Sequence, residues 1–115
     1  MNFEEFSAFS PLEGKNYQCR FYKLATGIAP RHSDTVDIRF LVNGKVVAVA
    51  LAHPGLVEFR RQTGRSLTDS DVIRIGALAL KELLEKSDWA EETLVTLSPQ
   101  QTVEQAQRMF LLAAR

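Results

Sequence analysis

Hydrophobic and polar residues alternate most regularly between residues 35 and 52, on either side of an Asn43-Gly44 pair. Such a pair between two alternating runs is typical of a two-residue β-hairpin turn of type I′, because both central residues need positive φ. The turn fixes the register of strand Thr35–Val42 against strand Lys45–Ala52. A slip by one residue would scatter the apolar side chains over both faces, so the register is well specified. The apolar face collects Val36, Ile38, Phe40, Val42, Val47, Val49 and Leu51. The opposite face carries Asp37, Arg39 and Leu41 against Ala50, Ala48 and Val46.

Two helical segments follow the hairpin. Pro54 opens a short helix to Thr63, since proline at the first helical position has no N–H to lose, and Gly64 ends it. A longer helix begins at Thr68, where Thr-Asp-Ser-Asp is typical of a capping arrangement, and continues to about Lys86. This second helix is apolar over much more than a narrow stripe. We therefore expect it to pack centrally, on the sheet and on a further partner.

The flanks of the chain predict further elements. Aromatic residues favour a strand over Tyr17–Leu24, and a short apolar run favours another over Leu94–Leu97. Ser98, followed by proline and then Gln101, predicts the start of a last helix. Its predicted buried face consists of Val103, Ala106, Phe110 and Ala113, widened by Met109 and Leu112.

Residues 1–16 are predicted as an N-terminal arm. Phe3, Phe6 and Phe9 recur at three-residue spacing, which favours either one helical turn or a mobile segment pinned by aromatic side chains. Pro11 and Gly14 end whatever forms there. The remaining order, β-ββ-α-α-β-α over residues 17–115, predicts a single α+β domain. We expect a small, mostly antiparallel sheet with helices packed on one face.

Composition and charge place the chain in the class of globular domains. Its 115 residues fit one domain, and 45% hydrophobic and 24% charged residues are near the globular average. The first residues lack the basic and apolar regions of a signal peptide, and no run approaches the length of a membrane span. A lone Cys19 cannot build an internal disulfide framework. These features predict a cytoplasmic protein without membrane contact. The small size and the general character of the sequence, rather than any motif, favour a bacterial origin.

Candidate catalytic and metal-binding chemistry is sparse. His32 and His53 have no second ligand at metal-binding spacing, and His32 beside Ser33 and Asp34 does not amount to triad geometry. Cys19 lies on the predicted inward face of its strand, where a cysteine is usually a small core residue. No glycine-rich phosphate loop is present. The sequence therefore predicts no enzyme, no metal and no cofactor.

Two groups of residues are candidates for binding. Arg60, Arg61 and Arg65 lie near the end of the short helix, where they complement the helix dipole or form a patch for an anion or an acidic partner. The second group is surplus apolar helix surface, which usually marks an interface. It comprises Leu78, Phe110, Leu111 and Leu112.

These groups favour a non-catalytic protein-interaction or self-associating accessory domain, with a second copy of the chain as one partner. A small-molecule-binding domain is a further hypothesis. It needs polar groups that converge in the core, and the candidates are Arg39, Tyr17 and Tyr22. A zero formal net charge disfavours a dedicated nucleic-acid binder.

Lys45–Lys86 combine a strand, a helix opened by proline, a Thr-Gly-Arg-Ser turn and an apolar second helix. In this arrangement the segment resembles the ribbon-helix-helix fold of small bacterial repressors and antitoxins. The resemblance implies a DNA-binding regulator whose strand pairs with its twin from a second subunit and reads the major groove. The outward positions of this strand, Val46, Ala48 and Ala50, offer no hydrogen-bonding group to a base edge.

Overall fold

The computed structural model describes residues 2–27, 35–86 and 94–113. In these ranges the chain forms one five-stranded sheet in the order β1-β2-β3-β4-β5, together with three helices. Neighbouring strands are antiparallel except β4 and β5, which are parallel. The predicted α+β class, with a mostly antiparallel sheet, is confirmed. The elements are β1 (Glu5–Ser10), β2 (Lys15–Gly27), β3 (Thr35–Val42), β4 (Lys45–Ala52), α1 (His53–Thr63), α2 (Asp69–Lys86), β5 (Leu94–Leu97) and α3 (Pro99–Ala113).

Strand β1 corrects the helical-turn hypothesis for the N-terminal residues. Side chains of β1 alternate between exposed and buried, with Phe6 buried and Phe9 exposed. The three-residue spacing of the phenylalanines therefore does not reflect a helix. A turn at residues 11–14 brings β1 back against β2, with Gly14 at φ +63° and its N–H donating to Ser10 O at 2.8 Å. Strand β2 is also longer than predicted at both ends.

The central hairpin confirms the predicted turn and register. Asn43 and Gly44 have φ of 50° and 84°, and Val42 pairs with Lys45. Asn43 also ties the turn to β2, because its side-chain Oδ1 accepts the Gln18 N–H at 2.8 Å. The inward side chains of the hairpin form the centre of the core. Those at most 1% exposed are Ile38, Phe40, Val42, Val47, Val49 and Leu51.

Helix boundaries follow the predicted local signals. Thr68 and Asp71 form a reciprocal capping box: the Asp71 N–H donates to Thr68 Oγ1 at 3.1 Å and the Thr68 N–H to Asp71 Oδ2 at 3.0 Å. Ser98 and Gln101 repeat this arrangement at the start of α3, at 3.1 and 2.9 Å. Gly64 ends α1 in the left-handed conformation, at φ 73°. These signals act within a few residues, so they can be recognised in the sequence.

Helix α3 corrects the predicted buried face. Among the side chains described up to Leu111, the fully buried ones are Thr102, Ala106 and Met109, whereas Phe110 is partly buried. The predicted Ala113 side chain lies outside the described part of the structure. Thr102 is accommodated because its hydroxyl donates to Ser98 O at 2.9 Å and accepts the Ala52 N–H at 3.3 Å. Phe110 instead stacks on Phe59 of α1, with ring centroids 5.5 Å apart. The contact with α1 thus sets the orientation of α3.

Candidate functional site

The sheet has one face that no described helix covers, and we call it the open face. The inward face packs against α2 and against the α1–α3 pair, and the domain is only 21 Å along its shortest axis. That thickness fits one sheet and one helical layer. Cross-strand partners share a face, so the register assigns the outward residues. Among them, we call Leu41, Val46, Ala48, Ala50 and Leu94 the apolar stripe and Glu5, Arg20, Lys23, Asp37 and Arg39 the charged half. Phe9, 50% exposed on β1, lies on the same face apart from the stripe.

The apolar stripe follows from the sequence of β4, which is uninterruptedly apolar from Val46 to Ala52. Strands of this type are usually buried on both faces, whereas the solvent side of an antiparallel sheet is usually polar. Here Val46 remains 43% exposed and Leu94, beside Ala48 on β5, remains 55% exposed, whereas Ala50 is only 5% exposed. Exposed apolar side chains that lie beside polar ones are a recurring property of protein interfaces.

The charged half lies on β2 and β3. Lys23 stands directly opposite Arg39, and neither makes an ion pair within the described ranges. Like charges in this arrangement repel each other. Asp37 lies two residues from Arg39 on the same face, and its Oδ1 accepts the Thr35 hydroxyl at 2.9 Å. Next to Lys23 a β-bulge interrupts the ladder and leaves Tyr22 54% exposed.

The predicted arginine cluster is divided among different contacts. Arg61 forms a two-pronged ion pair with Glu58, with Nε 2.9 Å from Oε1. The Arg65 guanidinium lies 4.7 Å from the centre of the Phe110 ring. Arg60 is exposed and makes no side-chain contact of this kind among the described residues. Two of the three cations are thus engaged within the chain, and the patch remains a prediction.

The Glu58–Arg61 pair predicts a specific pH dependence. Hydrogen bonds from Arg61 and Gln62 lower the pKa of Glu58 from 4.5 to about 2. Because the folded-state pKa is depressed, the pair stabilises the fold above the ordinary pKa and loses this effect as pH falls through about 2. Both side chains are exposed, so we expect little change in stability. In Arg61→Ala, the Glu58 pKa measured by NMR titration should rise towards 4.5. An unchanged value would contradict this pairing.

The predicted helix interface is only partly available. Leu78 is 6% exposed and belongs to the core of the single chain, so it offers little surface to a partner. Leu78 lies among polar positions of α2, so the helical pattern placed it on the solvent side. In the structure α2 contacts both the sheet and α3, and this side of the helix is covered as well. Phe110 is held by Phe59, whereas Leu111 is 68% exposed. The Leu112 side chain lies outside the described part of the structure.

The three polar residues proposed for a small-molecule pocket do not converge. Tyr17 is 1% exposed and donates to Glu13 Oε2 at 2.6 Å, whereas Arg39 lies on the open face and Tyr22 at the bulge. Polar groups gather instead in a cleft of about 370 Å³ between α2, β5 and α3. There Glu82 accepts Gln105 Nε2 at 2.7 Å and pairs with Arg108. Sequence reasoning missed this group because its members lie on two helices that are distant in the chain.

The sole cysteine and the histidines show no activated arrangement in the described ranges. Cys19 is 2% exposed, and burial raises the pKa of its thiol to about 12. A nucleophilic cysteine needs the opposite shift, so the predicted core role is the one this environment favours. His53 is the exposed first residue of α1. His32 lies outside the described residues.

Strand β4 also lacks the free edge that the ribbon-helix-helix resemblance requires. It is hydrogen-bonded to β3 along one edge and to β5 along the other. A strand from a second chain therefore cannot pair with β4 unless β5 leaves the sheet. The described sheet therefore does not offer β4 the strand pairing that the resemblance implies.

The fold and the site together define a small α+β domain with a mixed sheet and a partly apolar open face. The chain matches no protein-family model, no curated protein and no solved structure. Across the described ranges, no helix is long and apolar enough to cross a membrane. The same ranges bring no three His, Cys, Asp or Glu side chains together as a metal-binding group.

Proposed function

We propose that this chain is a non-catalytic protein-interaction domain of the cytoplasm that docks a protein partner on the open face. The observation that carries the proposal is the outward side of β4. This strand lies at an interior position of the sheet, is paired on both edges, and presents only apolar side chains outward. Leu41 and Leu94 extend that surface on the neighbouring strands.

Burial of the apolar stripe would supply the free energy of docking. Removing a Val or Leu side chain fully from water contributes about 1.5–3 kcal/mol, and Val46 and Leu94 are still about half exposed. The flanking charges would orient the partner, since charged groups at an interface contribute to specificity and association rate. A face that is apolar on β4 and β5 and charged on β2 and β3 suits a protein surface better than a nucleic acid.

Thiol labelling of Val46→Cys tests this proposal. Cys19 does not interfere, because it is 2% exposed and its thiol pKa is raised to about 12. Val57→Cys, on the exposed side of α1, is the matched control, because Val57 is 53% exposed and Val46 43%. Maleimide labelling is compared between dilute purified protein and the cells that naturally produce the chain. Occupancy of about 90% slows the reaction about tenfold, because only unoccupied chains react.

We expect Val46→Cys to be protected in cells and Val57→Cys to react equally in both settings. Equal reactivity of Val46→Cys in cells and in dilute solution would show an uncovered face, and would overturn the proposal. Equal protection at both positions would indicate a general effect of the cell interior and would also count against it.

A further inference from the structure

We propose that the partner on the open face is a second copy of this chain, bound through a symmetric face-to-face contact in which Asp37 of each copy pairs with Arg39 of the other. This inference rests on the proposed function. The two residues lie on β3 and point to the same face, about 6.8 Å apart along the strand. Each copy thus presents one acidic and one basic side chain, which a twofold-related copy can pair with its own.

The charge pattern selects one twofold axis. An axis that runs across the strands at the level of Ile38 stacks β3 antiparallel on its copy and brings Asp37 opposite Arg39 twice. An axis parallel to the strands would place Asp37 on Asp37 and Arg39 on Arg39. Because a twofold interface is self-complementary, only the first arrangement turns these charges into attractive pairs.

The same axis also relieves the repulsion within the charged half. Lys23 is the cross-strand neighbour of Arg39, and neither has an acidic partner among the described residues. Asp37 of the second copy would approach Arg39 and lie beside Lys23. The Coulomb attraction between a carboxylate and two neighbouring cations is stronger in a partly desolvated contact than in bulk water.

The apolar stripe fits this arrangement as well. Ala50 is the cross-strand neighbour of Asp37 and Ala48 that of Arg39, so Ala48 of one copy would lie at the level of Ala50 of the other. Ala50 is only 5% exposed, so the contact there rests on Ala48. These small side chains leave room for the long Arg39 stem to cross the interface. Leu41, Val46 and Leu94 lie at the Ala48 end of the stripe and would exclude water there.

The size of the open face sets the expected affinity of the dimer. Five strands about 4.8 Å apart and about 20 Å long present about 500 Å² on each copy. A total of about 1,000 Å² is near the lower limit for a specific protein interface. We therefore expect a concentration-dependent dimer with a micromolar dissociation constant.

Charge exchange at these two positions tests the inference by sedimentation velocity. Asp37→Arg and Arg39→Asp, each alone, turn two attractive pairs into two repulsive ones, and should weaken dimerisation about 100-fold. The double variant, with both changes in one chain, restores complementarity and should dimerise like the wild type. Mixing the two single variants should give a heterodimer, which native mass spectrometry resolves by mass. Glu104→Arg on exposed α3 is the control and should dimerise normally.

A wild-type chain that stays monomeric up to about 500 µM would overturn the inference, because a dimer of this size should form well below that concentration. Single variants that dimerise like the wild type would also overturn it. If Val46→Cys is protected in cells but not by concentrating the pure protein, the partner is a different protein. In that case this inference fails and the proposed function stands. If circular dichroism shows that the single variants are unfolded, the inference is tested by the double variant alone, which should dimerise like the wild type.

Discussion

Replacing Phe40 by alanine should destabilise the domain by about 4 kcal/mol, since truncation of a buried phenylalanine removes its transfer free energy and leaves a cavity. Phe40 is fully buried at the centre of the sheet. Its ring makes edge contacts with Phe6 at 5.9 Å and with Phe21 at 6.2 Å. These contacts join β3 to β1 and β2. Such aromatic pairs add to the free energy of burial.

Urea denaturation followed by circular dichroism measures this effect. Because domains of this kind have a total stability of about 5–15 kcal/mol, the variant should unfold at a clearly lower urea concentration. Phe9→Ala is the matched control, since Phe9 is 50% exposed on the opposite side of the sheet. We expect a loss below about 1 kcal/mol for the control. Similar losses for the two variants would show that Phe40 is not at the centre of the core.

Replacing Gly55 by alanine should destabilise the domain by about 2 kcal/mol, although alanine is the better helix former by about 1 kcal/mol. An added Cβ would lie 2.6 Å from Pro99 O and 2.8 Å from Thr102 Cβ. The obstructing carbonyl belongs to the backbone at the start of α3, so it cannot rotate away as a side chain could. Helices α1 and α3 would have to separate at their closest approach.

Gly64→Ala separates this steric effect from backbone strain. Gly64 has φ +73°, but nothing lies within 4 Å of its added Cβ. We expect a loss of about 1 kcal/mol, caused by the left-handed conformation alone. Urea denaturation of both variants gives the comparison, and hydrogen exchange should show the additional loss of Gly55→Ala in α1 and α3. A Gly55→Ala variant at least as stable as the wild type would contradict the close approach of these helices.

Much of the local structure could be predicted because its causes are local. The Asn43-Gly44 turn needs positive φ at two adjacent residues, and the capping boxes at Thr68 and Ser98 need a hydroxyl three residues before a carboxylate or amide. The alternation in β3 and β4 then specifies which side chains face the core. Each signal acts between residues close in sequence, so no knowledge of the remaining chain is needed.

The candidate site could be predicted only in part. The register already placed Asp37, Arg39 and the alanines of β4 on one face. The register could not show whether a layer of helices covers that face. Whether helices cover one side of a sheet or both depends on how the crossover connections run, which is a property of the whole chain. The exposure of Leu111 and the burial of Leu78 likewise depend on neighbours distant in sequence.

The sequence by itself determined the turn, the helix boundaries, the hairpin register and the α+β class, because hydrogen-bonding side chains and hydrophobic periodicity act over a few residues. Only the tertiary structure decided that residues 5–10 add a strand and that β5 closes the second edge of β4. It also decided that Phe110 turns to Phe59. These features depend on which surfaces meet when distant segments pack, and that competition for burial is settled only in the complete fold.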